Sequence, residues 1–101
     1  MPNLVKSANR AFDVLELLCF RGQAMTHSEI SKALKIPKSS LSQLLSTLES
    51  RGYVAFQAAE AVYEPGPAVV KLSANAQAAS DLLQVAQNVV DALSKSTRET
   101  A

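Results

Sequence analysis

The chain has 101 residues, of which 48% are apolar, 5% aromatic and 19% charged, with a formal net charge of +1. This length allows one domain with its own core but not two full domains. The longest apolar run, residues 14–20, is interrupted by Glu16 and is too short to span a bilayer, so no membrane partner is expected. The single cysteine, Cys19, is predicted to be a reduced, buried residue of a cytosolic protein.

The charges are distributed unevenly along the chain. Residues 1–51 contain seven Lys or Arg and four acidic residues, a net of +3, whereas residues 52–101 contain three bases and five acids, a net of −2. Positive charge in the first half favours a polyanionic partner there, although many solvated surfaces are equally unbalanced.

Apolar residues at helical spacing predict a first helix over residues 7–20, with Ser7 as a plausible cap and Gly22 ending the segment. The predicted apolar face of this helix contains Ala8, Ala11, Phe12, Leu15 and Leu18.

A second helix is predicted to begin at Thr26 and to end near Lys35. Thr26 and Glu29 have the spacing of a capping box, in which each side chain binds the other residue's backbone amide. The inward-facing residues of this helix are predicted to be Ile30, Ala33 and Leu34. A tight turn through Ile36 and Pro37 then leads into a third helix, which runs to Arg51 and is closed by Gly52. Two helices joined in this way predict a helix-turn-helix that suits a groove of DNA.

The third helix has two contrasting faces. Its apolar stripe contains Leu41, Leu44, Leu45 and Leu48. The opposite face is uncharged and contains Ser39, Gln43, Ser46 and Ser50, flanked by Ser42 and Thr47. Such small polar side chains allow the helix backbone to approach a partner closely.

After Gly52 the pattern changes to that of two strands, residues 53–57 and 61–64, joined by a loop that lacks Gly and Asn. Two further helical segments are predicted at residues 68–80 and 81–97, with a break at Ser80 and Asp81. The predicted fold is therefore mostly α: a winged helix-turn-helix, with a three-helix core and a two-stranded wing, followed by one or two C-terminal helices.

As an ordered set, these segments resemble the isocitrate lyase regulator (IclR) family of bacterial transcription factors. The resemblance covers nearly the whole chain from Ser7. The matching segments include Ser7-Ala8-Asn9-Arg10-Ala11, Ser28-Glu29-Ile30, Ile36-Pro37-Lys38-Ser39-Ser40, Arg51-Gly52-Tyr53, Tyr63-Glu64-Pro65-Gly66-Pro67 and Leu82-Leu83.

The resemblance implies a winged helix-turn-helix DNA-binding domain at residues 1–66, a linker helix at residues 67–80 and the first helix of an effector-binding domain at residues 81–101. The rest of that domain, where family members bind small metabolites, would lie outside this chain. The sequence is therefore expected to be a fragment of a longer protein, with a short natural paralogue as the alternative.

The chain departs from the family at two places. Family members commonly have bulky basic residues at the positions of Ser42, Gln43 and Ser46. Their wing usually has an Asp-Gly or Asn-Gly turn with a nearby Arg, whereas residues 57–61 here read Gln-Ala-Ala-Glu-Ala. We therefore expect the wing to contribute little to DNA affinity.

The predicted DNA-binding residues are Lys38, Ser39, Ser40, Ser42, Gln43, Ser46 and Thr47. Lys38 is expected to contact phosphate, and Gln43 to pair with adenine in the major groove. Ser40 is equally suited to a phosphate contact and to capping the helix. Arg10 and Arg51 are candidates either for phosphate contacts or for ion pairs with Asp13, Glu16 or Glu49.

His27 is predicted to be a surface residue, because one histidine and one distant cysteine do not make a metal site. No nucleophile with a nearby base is present, so neither catalysis nor a cofactor is expected.

The sequence thus predicts a DNA-binding module of a transcriptional regulator. The resemblance implies a repressor with a small-molecule effector bound outside this chain. We expect a homodimer on double-stranded DNA, because a monomer makes few phosphate contacts. The alternative is a winged-helix module that binds another protein and not DNA, which the neutral third helix and the acidic wing favour.

Overall fold

The computed structural model describes residues 3–100, with side chains described through Lys95, and contains four helices and three short strands in this range. The chain divides into two units, Met1–Val70 and Lys71–Ala101. The elements are α1 (Lys6–Arg21), β1 (Met25–Thr26), α2 (His27–Leu34), α3 (Lys38–Ser50), β2 (Val54–Gln57), β3 (Val62–Pro65) and α4 (Pro67–Thr100). The order of elements confirms the predicted winged helix-turn-helix.

The core of the first unit is aliphatic and lies among α1, α2, α3 and the sheet. Its buried residues are Val14, Leu18, Met25, Ile30, Ile36, Leu41, Leu45, Leu48 and Val54. The predicted leucine stripe of α3 is confirmed, with Leu44 packed against the core from its edge. Because this stripe holds α3 against the core, the opposite face of α3 is turned to solvent.

The predicted inner face of α1 is partly wrong. The residues of α1 that are fully buried are Val14 and Leu18, whereas Ala8 is exposed and Phe12 is 64% exposed. At 100° per residue Phe12 lies about 160° from Val14, so both cannot face the same core. Cys19 is also exposed, contrary to prediction. Ser7 lies inside α1, which begins after Val5 without a side-chain cap; Gly22 ends it in the left-handed conformation, as predicted.

The capping box that begins α2 is confirmed. The Thr26 amide donates to Glu29 Oε1 over 2.8 Å, and the Glu29 amide donates to Thr26 Oγ1 over 3.1 Å. At the other end, Lys35 adopts the left-handed conformation that reverses the chain. Ile36 is buried, while Ala33 is exposed although it was predicted to face inward. Pro37 is the N-cap of α3.

The sheet has three strands, in the order β1-β3-β2, and not the two that were predicted. The extra strand β1 pairs Met25 with Tyr63 and Thr26 with Val62. Two residues are too few to show the alternation that identifies a strand in sequence. The hairpin of β2 and β3 forms the wing, and its Phe56 and Tyr63 rings pack 4.8 Å apart.

The sheet is attached to α3 and α4 through two glycines. Gly52 follows α3 with φ of +82°, a conformation that favours glycine. Gly66 lies so close to Gly52 that a side chain on it would meet the Gly52 carbonyl. That carbonyl accepts a 2.9 Å bond from the amide of Ala68, near the start of α4.

The last element, α4, is one continuous helix, so the predicted break at Ser80 and Asp81 is wrong. Asp81 accepts a 2.9 Å hydrogen bond from Gln77, one turn earlier on the helix, and so supports the helix where a cap was expected. Residues 71–95 are all exposed. Among the described helices, none has the length and apolar character needed to cross a membrane.

Candidate nucleic-acid interface

The seven predicted DNA-binding residues all belong to α3, and the fold exposes most of them. Ser40 is half-buried; the exposed members are Lys38, Ser39, Ser42, Gln43, Ser46 and Thr47. We call the exposed residues opposite the leucine stripe, Ser39, Ser42, Gln43, Ser46 and Ser50, the polar face of α3. This face carries no charged side chain, so it has no ionic hydration shell to displace on contact with a partner.

Two of the predicted residues use their hydroxyl protons within the helix. Ser42 Oγ donates to the Lys38 carbonyl over 2.9 Å, and Thr47 Oγ1 donates to the Gln43 carbonyl over 3.1 Å. A hydroxyl has one proton and two lone pairs. These side chains therefore present acceptor atoms, and in Thr47 also a methyl group, to anything that approaches α3.

Three residues of the polar face keep their full hydrogen-bonding capacity, whereas Ser50 Oγ donates to the Thr47 carbonyl over 2.9 Å. Within the described part of the chain, no side-chain hydrogen bond involves Ser39, Gln43 or Ser46. Gln43 consequently presents both an amide donor and a carbonyl acceptor, the combination that pairs bidentately with an adenine edge.

His27 contacts the polar face from the start of α2, which was not foreseen. Its Nε2 atom lies 2.9 Å from Ser42 Oγ, and the ring is half-buried. The two residues are 15 positions apart in sequence. Only the way in which α2 crosses α3 brings them together, so no local pattern in the sequence could have indicated this contact.

The capping box closes the first turn of α2, of which His27 is the first residue. Hydrogen bonds from the backbone and side chain of Thr26 lower the pKa of the Glu29 carboxyl below its ordinary value. Desolvation opposes this shift, and the positive charge of Arg21 adds a smaller lowering effect. Glu29 therefore remains ionised and keeps the first turn of α2 closed around neutral pH.

A basic groove borders the other edge of the polar face. It encloses about 570 Å³ between the first turns of α1 and the middle of α3. Its lining residues are Val5, Lys6, Ser7, Arg10, Ser40, Gln43, Leu44 and Thr47, none of which is acidic. Arg10 was a candidate for phosphate contact, whereas Lys6 was missed because the sequence does not show that α1 begins beside α3.

The ion pairs considered as alternatives for Arg10 and Arg51 are not formed among the described residues. The Arg51 guanidinium instead lies over the Tyr53 ring, 5.9 Å from its centroid. Arg51 is thus held at the end of α3 by a cation–π contact.

The wing offers no cation to a partner. Residues 54–65 contain two glutamates and no lysine or arginine. Gln57 Nε2 donates to Glu64 Oε1 over 2.6 Å. At the tip, Ala61 adopts a left-handed conformation with φ of +53°, in the region that glycine or asparagine usually occupies.

Comparison with known proteins places these features in a family. The profile of the IclR helix-turn-helix domain matches residues 7–58. The chain is 29% identical over 100 residues to the HTH-type transcriptional regulator XynR of Escherichia coli (strain K12), covering 99% of this chain and 39% of that protein. It therefore spans well under half of the length of this curated relative.

Solved structures agree with the fold. An IclR transcriptional regulator from Alicyclobacillus acidocaldarius superimposes with a TM-score of 0.70 at 31% identity, over 73% of this chain and 30% of that one. Pseudomonas aeruginosa HmgR superimposes with a TM-score of 0.69 at 24% identity, over 79% and 34% of the two chains, which supports the fold alone.

XynR and the Alicyclobacillus protein are transcriptional regulators and not enzymes. Because the domain profile matches just over half of the chain and the winged helix-turn-helix is shared with a solved member, this chain belongs to the IclR family of helix-turn-helix transcriptional regulators.

Proposed function

We propose that this chain is the sequence-specific DNA-binding part of a bacterial transcriptional regulator, and that α3 enters the major groove. One observation carries the proposal: α3 turns an uncharged face of short polar side chains to solvent, with Gln43 unbonded in the middle of it. A helix of this kind fits the width of the groove and can reach base edges.

Each predicted residue has a proposed role on DNA. Gln43 recognises adenine, and Ser39 and Ser46 lie beside it on the polar face. Ser42 and Thr47 contact the flanking bases as acceptors. Lys38, in the first turn of α3, binds phosphate together with the unbonded amides of that turn. Ser40 faces the basic groove, where it supports a backbone contact.

The basic groove supplies a second proposed phosphate site. Lys6 and Arg10 line it next to Gln43 and Thr47. A DNA strand bordering the major groove would pass these cations while α3 lies between the strands. Phosphate contacts fix the orientation of α3, which base recognition requires.

We further propose that the regulator binds as a homodimer to two half-sites about one helical turn, roughly 34 Å, apart. A monomer has few cations near α3, so useful affinity requires two copies. The exposed outer face of α1, which includes Phe12, and the helix α4 are the candidate dimer contacts.

The remaining proposals follow from family membership. Residues 1–66 would form the DNA-binding domain, residues 67–80 a linker, and residues 81–101 the first helix of an effector-binding domain. The regulator would repress transcription in the bacterial cytoplasm and release DNA when a small metabolite binds outside this chain.

Equilibrium binding to fluorescein-labelled random duplex at low salt tests the proposal. We expect binding at micromolar protein, and weaker binding by a Lys6→Ala, Arg10→Ala, Lys38→Ala triple variant with the same circular dichroism spectrum, because non-specific binding depends on phosphate contacts. Absence of binding by the wild-type chain would favour the alternative, a protein-interaction module, which the uncharged polar face and the cation-free wing support.

A further inference from the structure

We propose that His27 is a positioning residue for base recognition: its hydrogen bond holds Ser42 so that Ser42 accepts, and does not donate, a hydrogen bond in the major groove. The protein should then prefer a base with an exocyclic amino group, adenine or cytosine, at the position that Ser42 contacts. This inference rests on the proposed function and adds a specificity determinant to it.

The first step is a count of protons around Ser42. The Lys38 carbonyl has no proton, so the 2.9 Å contact between it and Ser42 Oγ requires Ser42 to donate. The single hydroxyl proton is then used. The 2.9 Å contact with His27 can form only if His27 Nε2 carries a proton and donates it to Ser42 Oγ.

The second step identifies the hydrogen-bonding position of Ser42 Oγ that remains unused. The oxygen of Ser42 has three positions for hydrogen bonds, one for its proton and two for lone pairs. The Lys38 carbonyl takes the proton and His27 takes one lone pair. The remaining lone pair belongs to an exposed side chain on the polar face of α3.

The third step is the rigidity of the donor. His27 is the first residue of α2, directly after the Thr26 N-cap, and its ring is half-buried. The capping box fixes the backbone at this point, so the ring approaches Ser42 from a fixed element. Without this ring, the bond to the Lys38 carbonyl alone would hold the Ser42 rotamer, and Ser42 could rotate away from Lys38 to donate to a base.

An acceptor at Ser42 distinguishes bases, because the bases present different donors and acceptors in the major groove. Adenine N6 and cytosine N4 are donors there, whereas guanine O6 and N7 and thymine O4 are acceptors. An unrestrained serine bonds to either class of base. A serine that is held as an acceptor bonds only to the amino groups, and it faces an unfavourable contact with the carbonyl oxygens.

The test compares base preference among four variants, each selected against a random duplex library and then measured on the selected duplex and its single-base changes. The variants are His27→Ala, His27→Gln, Ser42→Ala and the His27→Ala, Ser42→Ala double variant. Glutamine places its Nε2 amide as many bonds from Cα as histidine does, so His27→Gln retains a donor without a ring.

We expect one position at which the wild-type chain prefers adenine or cytosine about two- to tenfold, the effect of one hydrogen bond. Ser42→Ala and His27→Ala should each abolish this preference, and His27→Gln should retain most of it. The double variant should match Ser42→Ala, because His27 acts only through Ser42. Thermal unfolding of each variant confirms that the fold is intact.

Three results would overturn the inference while leaving DNA binding in place: a preference retained in His27→Ala, a preference lost in His27→Gln, or a further change when His27→Ala is added to Ser42→Ala. The last would mean that His27 touches DNA itself. If the wild-type chain bound no duplex, the proposed function would fail, and this inference with it.

A measurement without DNA tests the proton arrangement directly. Long-range ¹⁵N–¹H spectra of the His27 ring, recorded where the same spectra show it to be neutral, should give the Nε2–H tautomer. Ser42→Ala should shift the Nε2 signal. Observation of the Nδ1–H tautomer in the wild-type chain would overturn the inference whatever the DNA results.

Discussion

At the scale of single residues, the polar side chains of α3 differ in whether their hydrogen-bond donors are already used within the helix. Ser42 and Thr47 have given their protons to carbonyls of the same helix. Gln43, one turn before Thr47, keeps both halves of its amide. The strongest base recognition should therefore come from Gln43.

Replacing Gln43 with alanine should relax base preference at one position of each half-site. A bidentate contact with adenine contributes roughly 1–3 kcal/mol of discrimination. Site selection from a random duplex pool measures this loss. Gln84→Ala, which removes an exposed glutamine from α4, is the matched control, and an unchanged preference in Gln43→Ala would exclude Gln43 from base recognition.

Replacing Lys38 with alanine should weaken binding to all sequences by a similar factor. Lys38 is exposed in the first turn of α3, where a cation meets phosphate and not a base edge. Titration of several unrelated duplexes at one salt concentration measures the effect. Lys71→Ala is the control, because it removes the same charge from α4. An equal loss of affinity in that variant would mean that Lys38 acts only through the net charge of the protein.

At the residue scale, the buried and exposed sides of α3 were predicted correctly from helical periodicity. The leucine stripe of α3 dictates which side chains face away from the core, so the polar face followed directly from the sequence. The His27 contact with Ser42 depends on the crossing of two helices, which no local pattern encodes. Cys19 and Phe12 were wrongly assigned to the interior because an apolar side chain can lie on the outer side of a helix.

At the scale of elements, the capping box of α2 fixes the start of the helix-turn-helix. Both of its hydrogen bonds are present, and hydrogen bonding of the Glu29 carboxyl by the backbone and side chain of Thr26 lowers its pKa. A carboxyl with a lowered pKa stabilises the folded state fully above its ordinary value, and this stabilisation is lost as the pH falls through the lower value.

Replacing Glu29 with glutamine should reduce the acid sensitivity of the fold. Glutamine still closes a capping box but does not titrate. The wild-type chain should be the more stable at pH 7, and the difference in Tm should shrink below pH 4.5, the ordinary glutamate value. Thermal unfolding between pH 3 and pH 7 measures this difference.

Thr26→Ala is the matched control, because it removes the cap and should cost about 1 kcal/mol at pH 7. When Thr26 is already alanine, Glu29→Gln should change the pH dependence of Tm less than it does in the wild-type chain. A constant difference in Tm between wild type and Glu29→Gln across the pH range would show that Glu29 does not stabilise the helix through its charge.

Elements with strong local signals were predicted with small errors at their ends, and those without such signals were not. Strand β1 has two residues and owes its existence to pairing with β3. The continuity of α4 through Ser80 and Asp81 was missed because both residue types favour caps. The run is rich in alanine, which favours helix, and Asp81 accepts a hydrogen bond from Gln77 within it.

At the scale of the whole molecule, α4 displays an apolar stripe. Leu82 is 69% exposed and Val89 is 53% exposed, and seven positions separate them on the same side of the helix. Large exposed apolar stripes mark association surfaces.

Replacing Leu82 and Val89 with glutamine should reduce self-association. The wild-type chain, of 10.8 kDa, should sediment above monomer mass at micromolar concentration, and the double variant should shift towards monomer. A Gln84→Ala, Gln87→Ala double variant is the control. It alters exposed positions of α4 but keeps the apolar stripe, so it should associate as the wild-type chain does. Identical monomeric sedimentation of all three proteins would contradict association through α4.

The lack of charge on the polar face of α3 has a consequence for how an operator would be found. Each phosphate that a protein neutralises releases counterions and adds about −0.9 to the slope of log affinity against log salt concentration. With the cations confined to the rim, at Lys6, Arg10 and Lys38, random chromosomal sequence would retain this protein only briefly. Occupancy of the correct operator would then depend on matched bases, and a dimer using all six of these cations would show a slope of about −5.4.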